Sequence, residues 1–230
     1  ALMVGTTGAM RAVAEQPSIE IPWGAWCYRI DRRRFVIGGV LSDGGKVFEW
    51  MNKRLADLPA GDDLEKKLAE MTPGAHGLTV LPLFAGERSP NWNGNARAAI
   101  TGLSLHTEPI DILRASLEAV ALRFRLIFDI LRNRVGEPKE VLATGEALRH
   151  SPAWTQMMAD ALGRPILSCL EEQTSSRGAA LLALERLGVQ SLSESTAEIG
   201  KTFQPAPEHR ESYAEMLKDQ QTLYGKLYSS

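Results

Sequence analysis

Apolar residues recur at helical spacing through the middle of the chain, and this pattern predicts its longest element. A helix is expected from about Glu108 to Arg132, with Thr107 as its N-cap and Pro109 in its first turn. Its apolar face consists of Ile110, Leu113, Leu117, Val120, Ala121, Phe124, Phe128 and Leu131. A helix with one long apolar face is typically packed on a core.

Two earlier segments have the β-branched and aromatic composition of strands. Residues 24–30 and 34–41 are separated by the charged turn 31–33, so together they predict a hairpin. The consecutive arginines 32–34 are interpreted as a solvated hairpin tip rather than an anion-binding patch.

The second half of the chain alternates between the two patterns. Strands are predicted at 140–144 and 164–169, and helices at 152–162 (capped by Ser151), 176–187 (closed by Gly188) and 208–228. Strands alternating with helices indicate an α/β fold with a parallel or mixed sheet covered by helices. In such folds ligands bind beyond the carboxyl ends of the strands.

Composition narrows the class of protein. The 230 residues are 44% hydrophobic and 23% charged, with a formal net charge of −2. These values are typical of a globular α/β protein and give no reason to expect a nucleic-acid or anionic-membrane partner. Cys27 and Cys169 lie far apart without CxxC spacing, which favours a reduced, cytoplasmic protein and leaves one disulfide open.

Three turns rich in small residues carry the candidate chemistry. They are residues 5–8 (Gly-Thr-Thr-Gly), 42–45 (Ser-Asp-Gly-Gly) and 144–147 (Thr-Gly-Glu-Ala). Free backbone N–H groups and threonine hydroxyls suit a phosphate, although no lysine follows at Walker spacing. Purely structural roles stay open as alternatives to phosphate binding. The glycines could supply positive φ, Ser42 or Asp43 could cap a helix, and the small residues at 144–147 could allow close helix–strand packing.

Other chemistries find little support. The four histidines, His76, His106, His150 and His209, are scattered without zinc spacing. No GxSxG elbow is present, and no pair of carboxylates stands out as an acid/base couple. We therefore assign no catalytic and no metal-ligating residue.

Several segments match a known family position by position. Residues 98–103 (Ala-Ala-Ile-Thr-Gly-Leu), followed after seven residues by 111–118, resemble the C-terminal signature of the FGGY family of carbohydrate kinases. Residues 86–90 (Gly-Glu-Arg-Ser-Pro), with Trp92 and Arg97, resemble the G-E-R-x-P loop of that family. The remaining matches resemble its adenosine motif and the helices after it: 143–145, 154–165 and 176–183.

This resemblance implies a fold and a domain organisation. The family has a two-lobed, actin-like (ribonuclease H-like) ATPase fold with a mixed sheet flanked by helices. Residues 1–230 look like its C-terminal, nucleotide-side domain. The expected partners are a sugar or sugar-acid substrate and the protein's own N-terminal domain, which this chain lacks, and a homodimer stays open.

The resemblance also implies an activity. A full-length protein of this family would transfer the γ-phosphate of ATP, with Mg²⁺, to a hydroxyl of a sugar or sugar acid. Residues 22–29 and 38–42 look most like gluconokinase-type members, so gluconate is favoured, with a pentulose or glycerol as alternatives. The catalytic Asp, the first phosphate loop and the main magnesium carboxylates of the family fall outside this chain, so the isolated chain is expected to be inactive.

Site residues follow from the matching motifs. The nucleotide-binding residues implied are Gly5, Thr6, Thr7, Gly45, Glu49, Gly145, Glu146 and Ala147. Two positions depart from the family: Glu146 and Ala98 stand where glycine is usual. Glu146 could bond the ribose or adenine, or obstruct the site. It therefore keeps open a non-catalytic, actin-like nucleotide-binding or scaffold module.

Overall fold

The computed structural model describes residues 1–228 and has nine strands and seven α-helices in that range. The strands are β1 (Leu2–Val4), β2 (Gly8–Glu15), β3 (Trp26–Arg29), β4 (Arg34–Leu41), β5 (Thr79–Leu81), β6 (Ala99–Thr101), β7 (Val141–Thr144), β8 (Ile166–Cys169) and β9 (Ile199–Phe203). The helices are α1 (Gly45–Arg54), α2 (Gly61–Glu70), α3 (Pro109–Val135), α4 (Glu146–Arg149), α5 (Pro152–Leu162), α6 (Thr174–Arg186) and α7 (Arg210–Tyr228).

Seven strands form one mixed sheet in the order β3-β4-β2-β1-β7-β8-β9, and β5 pairs with β6 in a separate ribbon. Strand β2 lies antiparallel between β1 and β4, whereas β1, β7 and β8 are mutually parallel. As a result β1, β4, β7 and β8 all run in one direction. Their carboxyl ends meet at one margin of the sheet, which we call the carboxyl edge.

Helix α3 builds the core by packing closely on the sheet. Its Phe124 and Ile127 side chains are buried, and each faces a glycine on a strand. A Cβ at Gly39 would lie 2.6 Å from Ile127 Cγ2, and one at Gly8 would overlap the Phe124 ring. These glycines allow an approach that any larger residue would prevent.

The predicted elements largely agree with the structure, with some corrections. The α/β class, the 24–41 hairpin, the long central helix and the cap at Ser151 are confirmed. The N-cap of α3 is Glu108, which forms a capping box with Asp111, so the expectation for Thr107 was wrong. Strands β2, β5, β6 and β9 were not predicted.

Ion pairs hold the hairpin tip, and one of them joins it to helix α6. Arg34 contacts Asp31 at 2.7 Å and Glu185 at 2.5 Å, and Arg33 contacts Glu15 at 3.2 Å. Backbone N–H donation from Arg33 and Arg34 lowers the pKa of Asp31 to about 2. This agrees with a solvated turn rather than an anion-binding patch.

Both cysteine thiols are free: Cys169 is buried and Cys27 half-buried. Within residues 1–228, every helix is too short or too polar to cross a lipid bilayer.

Candidate functional site

Strand pairing brings the three small-residue turns together at the carboxyl edge. Parallel pairing of β1 and β7 sets Met3 opposite Thr144, so the turns that follow these strands are neighbours. On the other side, Gly8 is paired with Leu41, which places the end of β4 beside the turn 5–7. Residues 5–7 connect the antiparallel strands β1 and β2, so this turn is followed by a strand.

Main-chain hydrogen bonds join the turn 5–7 to the start of α1. The N–H of Gly45 donates to Gly5 O at 2.7 Å, and the N–H of Gly44 donates to Thr6 O at 3.2 Å. Lys46 N–H also reaches Thr6 O, at 3.4 Å. The first N–H groups of α1 are therefore already used, so they are not free for a phosphate as the sequence suggested. They hold the turn in place instead.

Glycine is required where these turns touch. A Cβ at Gly44 would lie 2.6 Å from Thr7 O, and one at Gly45 would lie 2.8 Å from Gly5 O and 3.1 Å from the Cβ of Ala147. Gly145 has φ of 99°, and a Cβ there would overlap Val4 O. Each glycine thus permits backbone-to-backbone contact at the junction of three elements.

The groups left available to a ligand belong to Thr6 and Thr7. Both residues are exposed. Neither side-chain hydroxyl makes a hydrogen bond with another residue of the range 1–228, and neither backbone N–H donates within it. Two N–H groups and two hydroxyls on one short turn form a neutral set of donors suited to a phosphate.

The two predicted site carboxylates are exposed and locally paired. Glu49 lies one helical turn beyond Gly45 and contacts Lys53 at 2.6 Å, a hydrogen bond that lowers the pKa of Glu49. Glu146 begins α4, where it pairs with Arg149 and, at 2.9 Å, with His150 Nε2. Its negative charge beside the turn is therefore partly offset by its own helix.

Asp43 ties a second loop to the site. Asp43 was one of two predicted caps of α1, but the N-cap is Gly44 and no side chain caps this helix. The buried Asp43 accepts a hydrogen bond from Ala85 N at 3.0 Å, and its other oxygen lies 3.3 Å from Lys46 Nζ. The loop that begins at residue 85 is thereby held against the carboxyl edge.

A buried ion pair holds the loop that begins at residue 85 against helix α3. Glu87 pairs with Arg123 of α3, and both side chains are almost fully buried. Glu87 also accepts hydrogen bonds from Asn91 Nδ2 at 3.0 Å and from the Tyr224 hydroxyl at 2.5 Å. Burial lowers the pKa of Arg123 to about 10, so the guanidinium remains charged at neutral pH. The roles of Arg123 and Tyr224 were missed because neither has a local sequence signal.

Three of the four histidines have carboxylate partners. His76 is buried against Glu118 at 2.9 Å, and His209 contacts Asp160 at 2.8 Å. Among residues 1–228, no three His, Cys, Asp or Glu side chains form a group able to hold a metal ion.

Comparison with known proteins identifies the family. Residues 1–185 match the model of the C-terminal domain of the FGGY family of carbohydrate kinases. A gluconokinase from Bacillus subtilis is 30% identical over 90% of this chain and 42% of its own length.

Solved structures agree in fold. The gluconate kinase from Lactobacillus acidophilus superposes with a TM-score of 0.88 at 30% identity, over 100% of this chain and 47% of that one. A xylulose kinase from the same organism gives a TM-score of 0.88 at 29% identity, with the same coverage of both chains. The chain spans less than half the length of these relatives. By its sequence motifs, its actin-like ATPase fold and its match to the domain model, this chain belongs to the FGGY family of carbohydrate kinases, as a C-terminal domain.

Proposed function

We propose that this chain is the ATP-binding half of a carbohydrate kinase, with the nucleotide at the carboxyl edge. The observation that carries the proposal is the convergence of the turns 5–7, 44–45 and 145–147 around two threonines with unused donors. In this arrangement Gly5, Thr6 and Thr7 hold the γ-phosphate, and the other two turns carry the rest of the nucleotide.

The chemistry asked of these residues is positioning. In phosphoryl transfer, proteins act mainly by aligning the acceptor and by stabilising charge on the phosphoryl oxygens. The donors of Thr6 and Thr7 supply neutral hydrogen bonds to the phosphoryl oxygens. Closure of a second domain over this edge would exclude water, which otherwise competes as acceptor.

The family implies ATP together with Mg²⁺. The residues of this domain do not fit a resident magnesium site, because no three His, Cys, Asp or Glu side chains among residues 1–228 lie close enough together to hold a metal ion. The buried Asp43 already has a cation beside it, since its Oδ1 lies 3.3 Å from Lys46 Nζ. Any Mg²⁺ that accompanies ATP would therefore need ligands from the nucleotide itself or from outside residues 1–228.

Gluconate is the acceptor we favour. The support is similarity to gluconate kinases in both sequence and structure. Relatives named ribulokinase and glycerol kinase also match, so a pentulose and glycerol are the alternatives to test. A cytoplasmic protein with its own N-terminal sugar-binding domain fits this role.

The function is tested by Thr6→Ala in the full-length protein. Loss of a hydrogen bond to a charged group costs about 1.5–3 kcal/mol, so we expect kcat to fall roughly tenfold to a hundredfold while KM for the sugar changes little. Thr202→Ala is the matched control, because Thr202 is also exposed but lies on the remote strand β9. An unchanged rate in Thr6→Ala would remove this residue from the mechanism.

The second candidate is a non-catalytic nucleotide-binding module. Glu146 favours it, because a carboxylate stands where the family usually has glycine. Calorimetry with ATP and a coupled assay over a panel of sugars separate the two functions. ATP binding without phosphorylation of any sugar by the full-length protein would support the module. Sugar phosphorylation by residues 1–230 alone would contradict the half-site proposal.

A further inference from the structure

Four of the five residues in the loop motif 86–90 have structural roles. Gly86 has φ of 80°, and a Cβ there would lie 2.5 Å from Gly94 O. Glu87 forms the buried ion pair described above. Ser89 bonds to β4 twice, and Pro90 is buried against Gly24.

Arg88 is the exception. Its side chain is exposed and makes no hydrogen bond or ion pair with any other residue of the range 1–228. Its backbone, in contrast, is fixed, since both neighbours are buried and bonded and its carbonyl accepts from Trp92 N at 2.6 Å. The Arg88 guanidinium therefore extends from a fixed backbone, has no partner within residues 1–228, and is available to a ligand.

The position of Arg88 on the carboxyl edge follows from the pairing of its neighbour. Ser89 donates its N–H to Val40 O at 2.9 Å and accepts from Val40 N at 3.0 Å, so the loop continues the sheet beside the last residues of β4. Arg88 also borders the same small cavity as Leu41 and Ser42. The order along the edge is therefore the loop at 88, the end of β4, the turn 5–8 and the turn 145–147.

This order determines what Arg88 can reach. Adjacent strands are about 4.8 Å apart, so the backbone at 88 lies about 10 Å from Gly8, on the side of the turn 5–8 that is opposite residues 145–147. If adenosine lies at 145–147 and the γ-phosphate at 5–7, a nucleotide points along the edge toward Arg88. An acceptor attacking in line must then approach from the side of Arg88.

We propose that Arg88 binds the phosphoryl group as it passes from ATP to the acceptor. The inference rests on the proposed function. In this step the acceptor oxygen bonds to the γ-phosphorus, and the bond from that phosphorus to the β,γ-bridging oxygen breaks. ADP leaves with the electron pair, and the acceptor proton passes to a carboxylate base outside this chain. Arg88 neither gains nor loses a proton.

Two targets are open to Arg88, the transferred phosphoryl group and the carboxylate of the acceptor, and the phosphoryl group is the better supported. Its planar guanidinium can donate two parallel hydrogen bonds to phosphoryl oxygens that gain charge in the transition state. The loop resembles the G-E-R-x-P loop of the family, and the relatives of this chain include a ribulokinase as well as gluconokinases. The phosphoryl group is the chemistry that these reactions share.

The test uses Arg88→Gln and Arg88→Lys in the full-length protein, with Arg32→Gln as the control. Arg32 is likewise exposed and its side chain unpaired within residues 1–228, but it lies at the remote hairpin tip. Melting temperatures should match wild type in all three variants, since no partner is lost. We expect Arg88→Gln to lower kcat at least a hundredfold with gluconate, to leave the Kd of ATP within about twofold, and Arg88→Lys to recover part of the rate.

Four outcomes would overturn the inference. An unchanged kcat in Arg88→Gln would show that Arg88 does not contact the phosphoryl group. An increase in KM that is seen with gluconate and with no other sugar tested would assign Arg88 to the acceptor carboxylate. Loss of ATP affinity equal to the loss of kcat makes Arg88 a ground-state nucleotide contact. A wild-type protein that phosphorylates no sugar overturns the proposed function, and this inference with it.

Discussion

Gly45→Ala perturbs the junction of the three turns with a single methyl group. The new Cβ would lie 2.8 Å from Gly5 O, whereas ordinary contacts begin near 3.4 Å, so the turn must retreat by about 0.6 Å. On the other side Ala147 Cβ is 3.1 Å away and blocks movement of the helix in that direction. The hydrogen bond from Gly45 N–H to Gly5 O, now 2.7 Å, would lengthen by a similar amount.

The expected magnitude combines three effects. Overpacking costs about 1–3 kcal/mol, and a weakened backbone hydrogen bond adds about 0.5–1 kcal/mol. The better helix propensity of alanine returns up to about 1 kcal/mol. With the full propensity gain subtracted, we expect a net loss of about 0.5–3 kcal/mol in unfolding free energy. A displaced Thr6 and Thr7 should also weaken ATP binding roughly tenfold, which corresponds to about 1.4 kcal/mol.

Isothermal calorimetry with ATP on the full-length protein, together with thermal unfolding, measures both effects. Gly178→Ala is the matched control, because Gly178 lies within α6 and a methyl group added there would meet no atom within 4 Å, so ATP affinity should not change. ATP binding by Gly45→Ala with wild-type affinity would refute the reasoning that the junction of these turns shapes the nucleotide site.

Further predictions concern the charged groups. Replacing Arg123 by Met leaves the buried Glu87 without its cation and should cost about 3–5 kcal/mol in urea unfolding; a loss below about 1 kcal/mol would contradict the ion-pair assignment. Glu146→Gly should change the Kd of ATP, and an unchanged Kd in calorimetry would place Glu146 outside the pocket. Asp31, with its pKa lowered to about 2, should stabilise the fold above about pH 4 and lose this contribution as the pH falls toward 2. Unfolding midpoints of Asp31→Asn and wild type should therefore converge in acid, and a constant difference would exclude the linkage.

Local sequence patterns predicted elements that are stabilised locally. The hairpin at 24–41, the long helix α3 and the strand–helix–strand unit from β7 to β8 each have their own periodicity and turn residues. Strand β2 was not predicted because Gly8–Glu15 has no alternating pattern and is rich in alanine. Its conformation depends on two partners, with eight residue pairs to β4 alone.

The candidate site was predicted only in part for the same reason. The three turns were recognisable as glycine-rich, but their meeting depends on pairing β1 with β7 across about 140 residues, which no local pattern encodes. The resemblance to a family supplied that expectation. The exact use of the N–H groups at Gly44 and Gly45 depends on distances between backbones, which a sequence does not contain.

The main-chain bonds between the turn 5–7 and α1 have a consequence for how such a site can change. Its shape is held by backbone N–H and C=O groups, which every residue type except proline possesses, and the glycines allow these groups to approach one another. Side chains at the rim, such as Glu146, can then be exchanged one at a time without dismantling the frame. If the carboxyl edge binds a nucleotide, as proposed, laboratory evolution at the exposed position 146 could change the preference among nucleotides with little effect on stability.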